Sequence, residues 1–280
     1  MISHSWLGGQ VNIWDAQTGE LQRSISLKGA SAGSEISLAS DGESVALKVI
    51  EGVAIVSLKS GESKILRSEM INTTDSFDRF LSEFSIVRVA LSPKNNTLVS
   101  FSLHDNLLRF WNLSTWTTND IIVARHKVTH MTFSQDGNLL GLVGDNWASV
   151  QDLSTKKYLI STSPGGDLFH CDFSSDAKYF VAGGKEALFL WDLSTGRFDE
   201  KDVRGHNILA VAFSNDSRYL ASGGTDEKIR IWDTETWKSM QTLKGHTNTV
   251  NSIAFSQNGR LLASGSRDGR VKIWEKKEGK

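Results

Sequence analysis

Residues 248–275 read NTVNSIAFSQNGRLLASGSRDGRVKIWE. Three strand-length apolar runs lie in that stretch: strand A from Val250 to Ser256, strand B from Leu261 to Ser266 and strand C from Arg270 to Trp274. The breaks between them, Gln257-Asn258-Gly259 and Arg267-Asp268-Gly269, supply residues that tolerate positive φ. Each break is therefore a tight turn, and neighbouring strands run antiparallel. The preceding segment, Trp237 to Leu243, alternates like a half-exposed strand and belongs at the outer edge of the preceding sheet as its strand D.

Outward from this unit, an aromatic residue or its replacement followed by a short polar turn recurs along the whole chain. It stands at Trp14-Asp15, Val56-Ser57, Trp111-Asn112, Gln151-Asp152, Trp191-Asp192, Trp232-Asp233 and Trp274-Glu275, in steps of about 42, 55, 40, 40, 41 and 42 residues. That period is expected when one four-stranded unit is copied around a ring. Each sheet has two apolar faces that it cannot bury alone; packing it on its neighbours buries both, and a ring removes the exposed ends. Nine tryptophans in 280 residues suit such a structure, because bulky side chains fill the wedge between twisted sheets. The reading is one domain spanning 1–280.

The sixth and seventh repeats carry the fullest pattern. Gly205-His206 opens the sixth, NILAVAFSNDSRYLASGGTDEKIRIWD follows, and Gly245-His246 opens the seventh. In these residues the chain resembles the WD-repeat β-propeller family, and the similarity covers nearly all of it. The resemblance implies an all-β propeller and maps the family's structural hydrogen-bond tetrad onto His206, Ser222, Asp226 and Trp232 in one blade and His246, Ser264, Asp268 and Trp274 in the next. A buried indole N–H needs an acceptor, a hydroxyl both accepts and donates, and an imidazole links that hydroxyl to a carboxylate. These sets resemble a Ser/His/Asp triad by residue type only, and their recurrence inside successive blades makes them scaffold.

The pattern decays toward the N-terminus. The fourth repeat keeps His126 and Asp145 but has Gln151 for the tryptophan; the fifth keeps Trp191 but has Pro164 and Lys185 near the expected histidine and aspartate. In the third, Phe101 falls at the serine position, and in the second Val56 takes the tryptophan slot. Those blades are expected to rest on apolar packing and to have lower local stability. By register, Met1 to His4 is strand B of the first blade, so seven blades with incomplete first and last members are expected. Six blades closed by Glu20 to Leu27, or one piece of a longer polypeptide, are the alternatives. The missing inner strand leaves an edge that another protein segment could fill. The extra length in the long interval lies between Arg67 and Phe84, where Phe77, Phe80, Leu81 and Phe84 follow Thr73-Thr74-Asp75 and predict a short amphipathic helix.

Composition excludes several function classes. With 31 basic and 32 acidic side chains and a net charge of -1, the chain offers no broad field for nucleic acid or an anionic membrane. No basic segment leads into a long apolar run, so neither a secretory signal nor a membrane span is visible, and a cytoplasmic location is expected. The single cysteine, Cys171, suits a reducing compartment. No phosphate-cradling glycine loop, paired-cysteine zinc spacing or nucleophile elbow is present, so no cofactor or metal is expected.

Strand A should line the central channel. Its inner position is Glu35, Arg88, His130 and His170 in four consecutive blades, then Ala210 and Ser252. The four large polar residues either satisfy one another and channel water or hold an anion or metal, the second being the basis of a propeller-enzyme or small-ligand alternative. The stronger candidate is the rim bearing the B-to-C turns and the starts of strand A, because loops on a rigid ring vary without costing the fold. Its expected partner-facing residues are His104, Lys127, Thr129, Phe169, Leu209, Thr225, Asn251 and Arg267, a mixture suited to docking a peptide or protein, with Phe169 and Arg267 as anchors. The function expected is therefore non-enzymatic: an interaction scaffold, free or as the recognition module of a larger assembly.

Overall fold

A computed structural model describes residues 2–4, 10–26, 36–38, 43–49, 52–66, 86–94, 96–103, 105–203 and 205–276. The predicted helix over Phe77–Phe84 and the candidate residues Glu35 and His104 lie outside them. The described strands form seven antiparallel sheets in two compact units, Met1–Lys127 and Val128–Lys280. Within each unit, successive sheets stack face to face with inner strand beside inner strand, the blade packing of an all-β propeller.

The first unit holds three sheets. The first has three strands, Ile2–His4, Gln10–Trp14 and Leu21–Ser26. Leu21–Ser26 is hydrogen-bonded to Gln10–Trp14, so this segment is the outer strand of the first sheet. The second sheet runs Ile36–Leu38, Ser44–Val49, Gly52–Ser57 and Ser63–Leu66; the third runs Ile86–Leu91, Thr97–Ser102, Leu107–Asn112 and Thr117–Val123. Val11 and Ile25 pack on Val45, Leu47, Ala54 and Val56, so the valine in the tryptophan slot still fills an inter-sheet core. On the next interface Ala46, Val53 and Leu66 meet Val89, Leu98 and Trp111.

One sequence assignment is corrected here. The indole N–H of Trp111 donates to the hydroxyl of Ser100 at 2.8 Å, so Ser100, and not Phe101, holds the serine position of the third sheet. Serine and tryptophan are 10 residues apart in the sixth and seventh sheets but 11 apart in the third, whose B-to-C turn is one residue longer. Counting back by the shorter spacing lands on Phe101, and a slip of one residue points the side chain to the other face.

The second unit holds the fourth to seventh sheets. Their inner strands are Val128–Phe133, Leu168–Phe173, Ile208–Phe213 and Val250–Phe255. The fourth sheet continues through Leu139–Gly144, Trp147–Asp152 and Tyr158–Thr162, and the fifth through Tyr179–Gly184, Ala187–Asp192 and Arg197–Asp202. The sixth continues through Tyr219–Gly224, Lys228–Asp233 and Ser239–Lys244, whereas among the described residues the seventh continues through Leu261–Ser266 and Val271–Glu275. Trp191 packs against Val143, Ala148 and Val150 of the preceding sheet, and Trp232 against Val181, Leu188 and Leu190. The fifth sheet, with Ala182 at the serine position, relies on aromatic contact: the Trp191 ring lies 5.6 Å from Phe180 and 5.3 Å from Phe198.

Recurring polar turns explain why the unit repeats so regularly. After strand C, the carboxylate of Asp15, Asp152 or Asp192 and the amide oxygen of Asn112 accept the backbone N–H groups two and three residues on. Hydrogen bonds from Ser154 and Ser194 hold the Asp152 and Asp192 carboxyls below the usual range. Between strands A and B, Ser134, Ser174 and Ser214 donate to Asp136, Asp176 and Asp216, and each serine accepts the N–H that opens strand B. The polar residue after the aromatic is thus a turn former.

Candidate functional site

The rim at the start of strand A is shaped by a bulge in every inner strand of the second unit. Pairing with strand B jumps from Val128 to His130, Leu168 to His170, Ile208 to Ala210 and Val250 to Ser252. The four skipped residues are Thr129, Phe169, Leu209 and Asn251, all candidates from the sequence. A bulge leaves one residue unpaired and re-aims its side chain. Phe169 and Leu209 are half-buried and Asn251 exposed.

Glycine at the end of strand B lets the chain entering strand A lie close against it. A Cβ on Gly224 would sit 1.7 Å from the Asn207 carbonyl oxygen, and one on Gly184 would sit 2.7 Å from that of Asp167. The B-to-C turn hangs from the same carbonyls: the N–H of Thr225 donates to Asn207 O at 3.0 Å, that of Lys185 to Asp167 O and that of Arg267 to Thr249 O, each at 2.9 Å. The Thr225 hydroxyl also accepts the Asn207 N–H at 2.9 Å. Thr225, Arg267 and Lys127 are exposed, so Thr225 and Arg267 present side chains from a backbone fixed by the sheet. Thr129 is different. Its hydroxyl lies 3.0 Å from Val143 O and 2.7 Å from Leu168 O, tying the fourth inner strand to the fifth instead of facing outward.

The channel candidates divide between the units. Arg88, in the first, is close enough to Lys48 that burial, followed by the Arg88 charge, lowers the Lys48 ammonium from its usual range. In the second, the rings of His130 and His170 stack with centroids 3.7 Å apart and planes inclined by 25°. Nδ1 of His130 accepts the Cys171 N–H at 3.2 Å and lies 3.3 Å from its sulfur. That nitrogen therefore serves as an acceptor toward Cys171. Among the described residues no group of three or more histidines, cysteines or carboxylates is placed to hold a metal ion.

The sequence reading passed over Asp172, two residues beyond His170. Its Oδ1 accepts the Phe173 N–H at 2.9 Å and its Oδ2 accepts the Phe213 N–H of the sixth inner strand at 2.8 Å. Part of the residue is accessible, but protein atoms crowd the carboxylate; this burial outweighs both donors and the nearby His130 and pushes its pKa up to about 6. The signal available in the sequence was a lone acid inside the apolar run LFHCDF.

Comparison with known proteins bears on the outer part of this unit. The family model of the WD domain, G-beta repeat, matches residues 199–233 and 237–275, each match running from an outer strand through the next A, B and C strands. The chain's last two sheets are WD repeats, and its described sheets have the blade packing of a β-propeller. No curated protein matches it in sequence.

The two matched repeats differ in their polar networks. In the seventh, the Trp274 indole donates to Ser264 at 2.9 Å, Ser264 lies 2.8 Å from His246 Nε2, and His246 Nδ1 lies 2.8 Å from Asp268. The consistent assignment runs one way: indole N–H to hydroxyl, hydroxyl to Nε2, Nδ1–H to carboxylate. Against the cost of burial, the His246 ring and the N–H groups of Thr247 and Arg270 hold the Asp268 carboxyl at about 2. In the sixth, Trp232 donates to Ser222 at 2.8 Å, but His206 Nε2 lies 3.7 Å from Asp226 and makes no hydrogen bond. Arg230, 2.8 Å away, takes Asp226 instead. Asp105 and Arg109 form the same pair in the third sheet.

Proposed function

We propose that the protein, as one propeller domain over 1–280, is a non-enzymatic interaction platform of the cytoplasm that binds peptide or protein partners on the rim where strand A begins. WD-repeat propellers act generally as scaffolds for protein interaction. The observation that carries the finer reading is the bulge repeated in four successive inner strands, which turns Phe169, Leu209 and Asn251 out of register beside the turns of Thr225 and Arg267. An aromatic and an aliphatic side chain on the same rim as exposed Arg267 supply an apolar anchor and a charged neighbour. Thr129 is withdrawn from the docking set because its hydroxyl joins two blades. His130 gives Nδ1 to the Cys171 N–H, which favours a seam role over the metal-binding alternative.

The test is affinity capture with wild type, Phe169→Ala and Arg267→Ala. Each variant is expected to lose at least about tenfold in recovery of the partners the wild type retains, the scale of a hot-spot side chain. Thermal unfolding should be unchanged for Arg267→Ala, which is exposed. Equal recovery by both variants sinks the rim assignment.

A further inference from the structure

One position on the inner strand is a bridge between blades wherever the described residues show it carrying an acceptor for the next strand. In the first unit Ser37 accepts the N–H of Leu91, the last residue of the next inner strand, at 2.9 Å. In the second, Asp172 accepts the N–H of Phe213, again the last residue of the next inner strand, at 2.8 Å. Pairing puts the two in the same register: Ser37 opposite Ala46, Asp172 opposite Val181. The fourth and sixth sheets have Thr132 and Ala212 there. A hydroxyl makes the link and a methyl group is tolerated, so the architecture does not require a charge. A carboxylate in a crowded place is a costly way to accept one N–H.

The surroundings of Asp172 are otherwise nearly free of charge. The strands packed on Leu168–Phe173 are Val128–Phe133, Leu139–Gly144, Tyr179–Gly184 and Ile208–Phe213, and none carries a lysine, arginine or second carboxylate. Their titratable groups are His130 and Tyr179, which lies two residues from the Val181 opposite Asp172; on its own strand are His170, stacked on His130, and Cys171 beside His130 Nδ1. We propose that Asp172 is a proton-operated link between the fifth and sixth blades. Ionised, it offers one oxygen to Phe173 N–H and the other to Phe213 N–H. Protonated, it sheds the charge that burial penalises and turns one oxygen from acceptor to donor, which resets the seam between the strands that carry Phe169 and Leu209.

The sign follows from linkage. The folded chain holds this proton more tightly than the unfolded chain, whose aspartate has an ordinary pKa of 3.8, so the contribution of Asp172 to stability is largest below that value and is lost as pH rises through about 6. The experiment is an NMR titration of the full chain from pH 4 to 8, following the Asp172 carboxyl carbon, the Phe213 amide and the ring carbons of His130 and His170, with Asp172→Ser as the neutral replacement the protein itself uses at Ser37. The expected result is a carboxyl midpoint near 6, a Phe213 amide that moves with that midpoint and not with the histidines, and an amide that no longer moves this way in Asp172→Ser. A carboxyl midpoint near 4, or a Phe213 amide that is flat or follows only the histidine rings, overturns the proposal. Both wild-type readings stand even if the serine variant fails to fold.

Discussion

The sixth sheet has all four strands and an interrupted polar network, whereas the seventh has three described strands and a network in which every link is made. Strand C shows the first difference: Ile229, paired with Leu243 and packed among Ala221, Val250 and Ile253, is fully buried, while Val271 at the same place is 47% exposed. The side chains behind the tryptophan show the second. In the seventh sheet the His246 side chain is 0% exposed and Asp268 5%, and the residue facing Ser264 is Lys272. In the sixth, the residue facing Ser222 is Arg230, whose planar fork reaches Asp226 and leaves His206 Nε2 without a hydrogen bond. Four matching residue types therefore do not make a tetrad. A fifth residue, Arg230, stands where the histidine would meet the carboxylate.

The largest expected effect separates the two histidines. His246→Ala leaves a buried hydroxyl and a buried carboxylate short of a partner and should lower the unfolding free energy by about 3 kcal/mol, whereas His206→Ala, removing a ring whose Nε2 makes no hydrogen bond, should cost about 1 kcal/mol or less. Urea unfolding followed by tryptophan fluorescence checks both; equal losses would mean the networks are equivalent in solution. The next effect is on acid sensitivity. Because the Asp268 carboxyl is held at about 2, its contribution is complete above the ordinary 3.8 and is lost as pH falls from about 4 toward 2. Hydrogen-exchange protection of the seventh-sheet amides, taken relative to their intrinsic rates at each pH, should fall over that interval in wild type, and this acid limb should flatten in Asp268→Asn. It is opposite in sign to the Asp172 effect, which acts between neutral and mildly acidic pH.

Much of this comparison was legible in residues 199–275 and less of it elsewhere. The period, the turn chemistry and the inter-sheet place of Trp111, Trp191 and Trp232 follow from strand-length apolar runs and local hydrogen bonding, which a sequence displays directly. Ser100 was hidden because one extra turn residue shifts the register, and local spacing cannot report a register set by cross-strand pairing. The bulges at Thr129, Phe169, Leu209 and Asn251 mark where the inner strand changes its partner residue on strand B, so only the paired strands reveal them. That Thr129 bridges two carbonyls from different blades is a tertiary fact with no local signature. The competition in the sixth sheet was visible in part, since Arg230 follows Asp226 by four residues, but its outcome depends on where His206 sits.

The smallest expected effect tests that competition directly. Lysine is what the seventh sheet carries opposite its serine, and it presents a point charge on a flexible stem where arginine presents a fork. Arg230→Lys should loosen the hold on Asp226 and let His206, 3.7 Å away, close to hydrogen-bond distance, with a net change in stability of about 1 kcal/mol or less because an ion pair is weakened as a hydrogen bond to the imidazole is gained. The informative quantity is therefore the coupling between His206 and Asp226, read from the double-mutant cycle His206→Ala, Asp226→Asn in each background. It should be near zero with Arg230 and rise to about 1 kcal/mol with lysine. No change in coupling would show that the backbone entering the sixth inner strand, and not Arg230, keeps His206 out of the network.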